Sequence, residues 1–72
     1  MQPIKEIIFL VEEAIEGGYI AQALGESIFT EAETLEELKI EIKDAVNCHY
    51  VDEKMRPQII RLHIVRDEVI AS

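Results

Sequence analysis

The apolar run IIFLV near the start of the sequence constrains the fold more than any other segment. Successive β-branched and aromatic residues favour a β-strand, in which neighbouring side chains lie on opposite faces. Ile7, Phe9 and Val11 share one face of such a strand, and Ile8 and Leu10 share the other. A strand that is apolar on both faces is typical of the middle of a sheet that is covered on both sides. The run therefore predicts a central strand.

The next segment contains three glycines at its predicted turns. Gly17 and Gly18 separate the first run from YIAQAL, and Gly25 precedes a third short run, IFTEA. Glycine adopts positive φ at no steric cost, so short glycine segments between apolar runs predict hairpin turns. No phosphate-loop motif surrounds these glycines and no helix is predicted directly after them. Residues 4–32 are therefore predicted to form a three-stranded antiparallel meander.

The period changes to that of a helix after Thr34. Thr34 and Glu37 form the S/T-x-x-E capping box that is typical of a helix start. Apolar or weakly polar residues then recur at steps of three and four. This stripe comprises Leu35, Leu38, Ile42, Ala45, Val46 and His49.

A last strand, IIRLHIV, is predicted to follow Pro57, which cannot donate to a ladder. Its alternation places Ile60, Leu62 and Ile64 on one face and Arg61, His63 and Val65 on the other, as read directly from the sequence. The 72 residues are thus predicted to form one domain, 1–72, of the α+β class with the order β-β-β-α-β.

A right-handed crossover would place the fourth strand parallel to the first, giving the sheet order 3-2-1-4 with a central first strand. One helix can cover only one face of that sheet. The apolar residues on the other face predict a second chain, in a homodimer or larger homo-oligomer. A domain this small also gains from a partner subunit.

The net charge of −8 is unevenly distributed. Residues 1–38 hold nine acids and one base, Lys5, whereas the remainder holds six of each. Such a surface repels nucleic acid and attracts basic proteins. No apolar run is long enough to cross a bilayer, so no membrane partner is expected. A single cysteine fits a reducing cytoplasm.

Two sets of candidate residues remain. Cys48, His49 and His63 lack metal-site spacing, and neighbours on a helix point about 100° apart, so no catalytic, cofactor or metal residue is assigned. A small enzyme or a metal- or ligand-binding protein using these three side chains stays an alternative, as does a structural oligomer. A partner or oligomer interface is predicted at Ile8, Leu10, Glu12, Glu13, Tyr19, Arg61 and His63.

The run FLVEEAIEGGYIAQALGESIFTEAETLEELKIEIKDAV resembles the N-terminal domain of the HicB-like antitoxin family, in its small stand-alone UPF0150-type form. The likeness spans about residues 4–50 and rests on the acidic EGGYIA turn and the TLEEL helix start. It implies a partial RNase H-like sheet without catalytic carboxylates. It also implies a non-enzymatic domain that covers a small basic ribonuclease toxin.

Two features depart from that family. The chain has ALGES where an LPGC-like segment is common, and 72 residues leave no room for the DNA-binding domain of full antitoxins. Chains of this type are sometimes named as a 2-oxoisovalerate dehydrogenase subunit. No cofactor motif in the sequence supports such a reaction, so we expect no enzyme here.

Overall fold

The fold is known from a computed structural model that describes residues 5–71. Within them lie four strands, one α-helix and one short 3-10 helix. In chain order these are β1 (Glu6–Glu13), β2 (Tyr19–Ala23), β3 (Phe29–Ala32), α1 (Leu35–His49), the 3-10 helix (Glu53–Met55) and β4 (Ile59–Val65). The predicted start of the meander at residue 4 lies outside the described residues.

The strands form one mixed sheet in the order β3-β2-β1-β4. β1 pairs antiparallel with β2 and parallel with β4, and β2 pairs antiparallel with β3. This topology confirms the predicted α+β fold, including the central position of β1. The 3-10 helix before β4 is an addition that no sequence pattern had indicated.

The β1–β2 turn depends on two glycines. Gly17 and Gly18 have φ values of 104° and 82°, a region that L side chains rarely adopt. The Ala14 N–H donates to the Gly18 carbonyl at 3.0 Å and closes the turn. A Cβ at Gly18 would lie 2.8 Å from the Ala32 carbonyl oxygen of β3, so this position excludes a side chain on two grounds.

Helix α1 begins as the capping box predicts, because the Thr34 hydroxyl accepts a hydrogen bond from the Glu37 N–H at 3.1 Å. The middle of its predicted stripe, Leu38, Ile42 and Val46, is buried. His49, the last predicted member of the stripe, is exposed instead. Within residues 5–71 no helix is long and apolar enough to cross a membrane.

We call the side of the sheet that faces α1 the helix-covered face, and the opposite side the open face. Ile7, Phe9 and Val11 of β1 point to the helix-covered face, and all three are buried. Because α1 packs on β2 and β3, β4 is covered less. Ile64 remains 49% exposed there. The core is therefore centred on β1 and β2, away from the β4 edge.

Candidate protein interface

The open face is a single surface made by alternate residues of all four strands. Residues that are partners across a ladder share a face, so the register fixes its members. These are Glu6, Ile8, Leu10 and Glu12 of β1, Ile20 and Gln22 of β2 with Leu24 just beyond it, Phe29 and Glu31 of β3, and Ile59, Arg61, His63 and Val65 of β4.

Large apolar side chains on the open face are exposed to solvent. Phe29 is 62% exposed and Leu24 is 55% exposed, whereas Ile8 and Leu10 beside them are half-buried. Gln22 lies between Phe29 and Leu10 in the ladder, so one row crosses the sheet from β3 to β1. Exposed large apolar side chains that lie close together on one face are typical of an interaction site.

The charged residues of the open face lie towards its margins, at the ends of β1 and on the edge strands β3 and β4. Only three of the 15 acids occupy its strand positions, namely Glu6, Glu12 and Glu31. Glu6 is paired with Arg61, and its carboxylate raises the pKa of the Arg61 guanidinium by hydrogen bonding and charge. Depletion of charge at the centre, with charged residues around it, is the composition of a protein interface core.

An acid-lined cleft adjoins this face at the hairpin end of the sheet. Its volume is about 530 Å³, and it is lined by four glutamates, Glu31, Glu33, Glu37 and Glu41. Among the described residues no lysine or arginine lines it. Ile20 belongs both to the cleft and to the open face, so the two surfaces are continuous. Such a cleft attracts a positively charged side chain.

The structure separates the residues predicted as an interface into two groups. Five of them lie together on the open face; they are Ile8, Leu10, Glu12, Arg61 and His63. Glu13 and Tyr19 lie on the helix-covered face, where the Glu13 carboxylate is 3.5 Å from Arg66 Nε. Tyr19 packs against the core there. The separation follows from the two-residue period of β1 and β2, which puts Glu12 and Glu13 on opposite sides.

Several open-face residues were not among those predicted. Phe29, Leu24 and Ile20 supply much of its apolar surface. Strand alternation could have identified Ile20, because Ile20 and Gln22 lie on the face of β2 opposite to that of the small residues Ala21 and Ala23. Phe29 depends on the register between β2 and β3, which the turn at Gly25 sets and which the sequence pattern left undetermined.

The alternative site at Cys48, His49 and His63 is not assembled. Cys48 and His49 lie at the end of α1, whereas His63 points to the open face, so the sheet separates them. His49 Nε2 is 3.3 Å from a Glu26 carboxylate oxygen. Among residues 5–71 no three His, Cys, Asp or Glu side chains are grouped closely enough to hold a metal ion. The three residues therefore do not form one site.

Glu26 also affects the residue that ends α1. Partial burial, followed by a hydrogen bond and charge repulsion from Glu26, raises the pKa of Tyr50. The His49 and Tyr50 rings meet edge to face with centroids 4.9 Å apart. The Tyr50 carbonyl accepts two hydrogen bonds from the Arg56 guanidinium, at 3.0 and 3.3 Å. These contacts connect Glu26, His49, Tyr50 and Arg56 at the end of α1.

Two known proteins are similar to this chain over most of its length. One, from Archaeoglobus fulgidus, is 55% identical over 58 residues, which cover 81% of this chain and 85% of that protein. The other, from Thermotoga maritima, is 42% identical over 71 residues and covers 99% of both. Both are described as UPF0150 proteins. No protein-family model and no solved structure matches the chain. With this identity over nearly its full length, the chain belongs to the UPF0150 family.

Proposed function

We propose that this chain is a non-enzymatic, HicB-like protein-binding module that binds a basic protein through its open face and acid-lined cleft. The observation that carries the proposal is the continuity of the two surfaces at Ile20 and Glu31. The open face offers exposed apolar area, and the cleft offers four glutamates with no lysine or arginine lining it in the part of the chain that the structure describes. A small basic protein would bury its apolar residues on the first and place a lysine or arginine in the second.

The charge of the whole chain supports the same partner class. At −8 the chain attracts a basic protein from a distance, and it repels RNA and DNA. The resemblance to HicB-like antitoxin domains agrees with this chemistry, because those domains cover a small basic ribonuclease. We therefore propose a small basic ribonuclease toxin as the partner.

Photo-cross-linking in the source cells tests the proposal, because it captures a partner whose identity is unknown. A photoreactive amino acid is placed at Phe29 on the open face, and a matched control places it at Val51, which is 86% exposed elsewhere. The expected result is an adduct at position 29 with a small basic protein and little or none at position 51. Adducts only between copies of this chain, or equal adducts at both positions, would contradict the proposal.

Charge removal then tests the role of the cleft. With the captured protein purified, we expect the double variant Glu33→Gln, Glu41→Gln to bind more slowly, by about a few-fold, and with weaker salt dependence. The matched control is the double variant Asp44→Asn, Glu53→Gln, which removes the same two charges at exposed positions outside the cleft. Equal effects of the two variants would show that only the net charge matters, and the assignment of the cleft would be wrong.

A further inference from the structure

Strand β4 is a long sheet edge without a described partner on its outer side. It spans seven residues, Ile59–Val65, and the sheet order gives it one neighbour, β1. The opposite edge, β3, has only four residues. A long edge strand presents a row of unpaired N–H and C=O groups, which is a template for pairing with another strand. β4 contains no proline that would blunt it.

The residues after β4 continue its direction and expose apolar side chains. Arg66 Nε lies 3.5 Å from the Glu13 carboxylate on the helix-covered face, so the alternation of β4 persists to residue 66. Val69 and Ile70 are 96% and 87% exposed. The described chain is 54 Å long, about twice the length of an eight-residue strand such as β1. Residues 66–71, which we call the tail, thus project beyond the sheet.

We infer that two copies of this chain form a dimer in which β4 and the tail of one pair antiparallel with the tail and β4 of the other. A twofold axis would lie across the junction of β4 and the tail, so that each tail follows the β4 edge of its partner copy. The contact is isologous, as in most homodimers. It goes beyond the proposed function, and it is centred on the β4 edge and the tail, away from Phe29 and the acid-lined cleft.

Charge complementarity supports this pairing on the helix-covered face. An extended tail that keeps the alternation of β4 directs Glu68 and Ile70 to this face. Along β4 the same face has a groove of about 250 Å³ against α1, lined by Lys39, Lys43, Ile42, Ile60 and Leu62. Glu68 would meet the two lysines, and Ile70 would cover the apolar floor.

The same complementarity holds on the open face. There the tail presents Asp67 and Val69, and the β4 edge presents Arg61 and His63. Asp67 would meet these basic side chains across the new ladder. Each acid of the tail therefore meets a base on its own side of the sheet, which a random exposed segment would not provide.

A second copy fits the groove better than the chain's own tail does. The tail leaves β4 at Val65, pointing away from the groove beside Ile60 and Leu62. To fold back, it would have to reverse within residues 66–69, which contain neither glycine nor proline. In the structure residues 66–71 belong to no helix or strand, and their side chains are exposed. Antiparallel pairing about a twofold axis requires no such turn.

Sedimentation equilibrium tests the dimer with variants that leave the domain core untouched. We expect the unmodified chain to dimerise at micromolar concentration, and Ile70→Lys or Glu68→Lys to raise the dissociation constant about tenfold or more. Glu53→Lys, at an exposed acid away from the tail, is the matched charge control and leaves the constant unchanged. A monomer at high micromolar concentration, or a dimer insensitive to both tail variants, would overturn the proposal.

Exchanging charges between the tail and the groove beside β4 distinguishes this contact from any other dimer contact. In a twofold dimer the contact occurs twice, and we call each occurrence a seam. Glu68→Lys in one chain, and the pair Lys39→Glu and Lys43→Glu in another, would each place like charges at both seams of a homodimer. A mixture of the two chains restores opposite charges at both seams, so heterodimers are expected where neither chain dimerises alone. Failure of the mixture to associate would contradict the assigned contact. Cross-linking at Phe29 is expected to persist in the tail variants, so the two proposals can fail separately.

Discussion

The two faces of the sheet use the same apolar residue types for different purposes. On the helix-covered face Phe9 is fully buried, whereas on the open face Phe29 is 62% exposed. α1 accounts for the difference, because its buried stripe packs on one side only. The helix-covered face stabilises the fold through packing within the same chain. The open face has no equivalent cover within the described residues, and we propose that it binds another protein.

The first prediction compares these two phenylalanines. Phe9→Ala removes a fully buried ring and is expected to cost about 3–5 kcal/mol, which is most of the stability of a domain this small. Phe29→Ala is expected to change stability by no more than about 0.5 kcal/mol while weakening partner binding. Urea unfolding followed by circular dichroism measures both. Similar losses in the two variants would abolish the distinction between the faces.

The second prediction concerns the turn that sets which residues reach each face. Gly18→Ala combines a positive φ with a Cβ that would lie 2.8 Å from the Ala32 carbonyl oxygen, so we expect a loss of about 2–3 kcal/mol. Gly17→Ala is the control, since it has positive φ but open space around it, and about 1 kcal/mol is expected. Thermal unfolding of both variants isolates the backbone clash. Equal losses would show that the contact with β3 does not matter.

The third prediction addresses the helix that covers one face. Thr34→Ala removes the hydroxyl that caps the Glu37 N–H, and a loss of about 1 kcal/mol is expected in urea unfolding. Ser27→Ala, at an exposed position in a connecting segment, is the matched control and is expected to have little effect. A loss in the control as large as that in Thr34→Ala would argue against a specific capping role.

The smallest expected effect is a pH dependence at the end of α1. The pKa of Tyr50 is raised in the folded chain, so the folded state holds this proton more tightly than the unfolded state does. That stabilisation is present below the ordinary tyrosine pKa of 10.0 and is lost as pH rises through the folded pKa. The urea midpoint should therefore fall more between about pH 8 and about pH 11 in the unmodified chain than in Tyr50→Phe. Identical falls would contradict the raised pKa.

The fold could be predicted from local patterns because strands and helices repeat apolar residues at different spacings. Strands repeat them at every second residue, and helices at steps of three and four. The two-sided apolarity of β1 required a central strand, and the capping box at Thr34 located the start of α1. The order β3-β2-β1-β4 then followed from the handedness of a parallel crossover. Strand alternation also predicted that Ile60 and Arg61 lie on opposite faces of the sheet, and the register confirms it.

The candidate interface was harder to predict because it depends on register between strands. Whether Phe29 lies beside Gln22 or one residue away decides which face it joins, and a slip of one residue reverses every side chain of a strand. Glu13 and Tyr19 were predicted in the same interface as Glu12, but the register pairs them with each other on the opposite face. The acid-lined cleft joins β3 to α1, and no single segment contains that contact.

The central claim is that the open face is covered by another protein in the cell, and hydroxyl-radical footprinting tests it most directly. Oxidation of Phe29 is compared between the purified chain and the chain in extract of its source cells. Val51 serves as the exposed reference. We predict that labelling of Phe29 falls several-fold in the extract while that of Val51 is unchanged. Equal labelling of Phe29 in both conditions would contradict the claim.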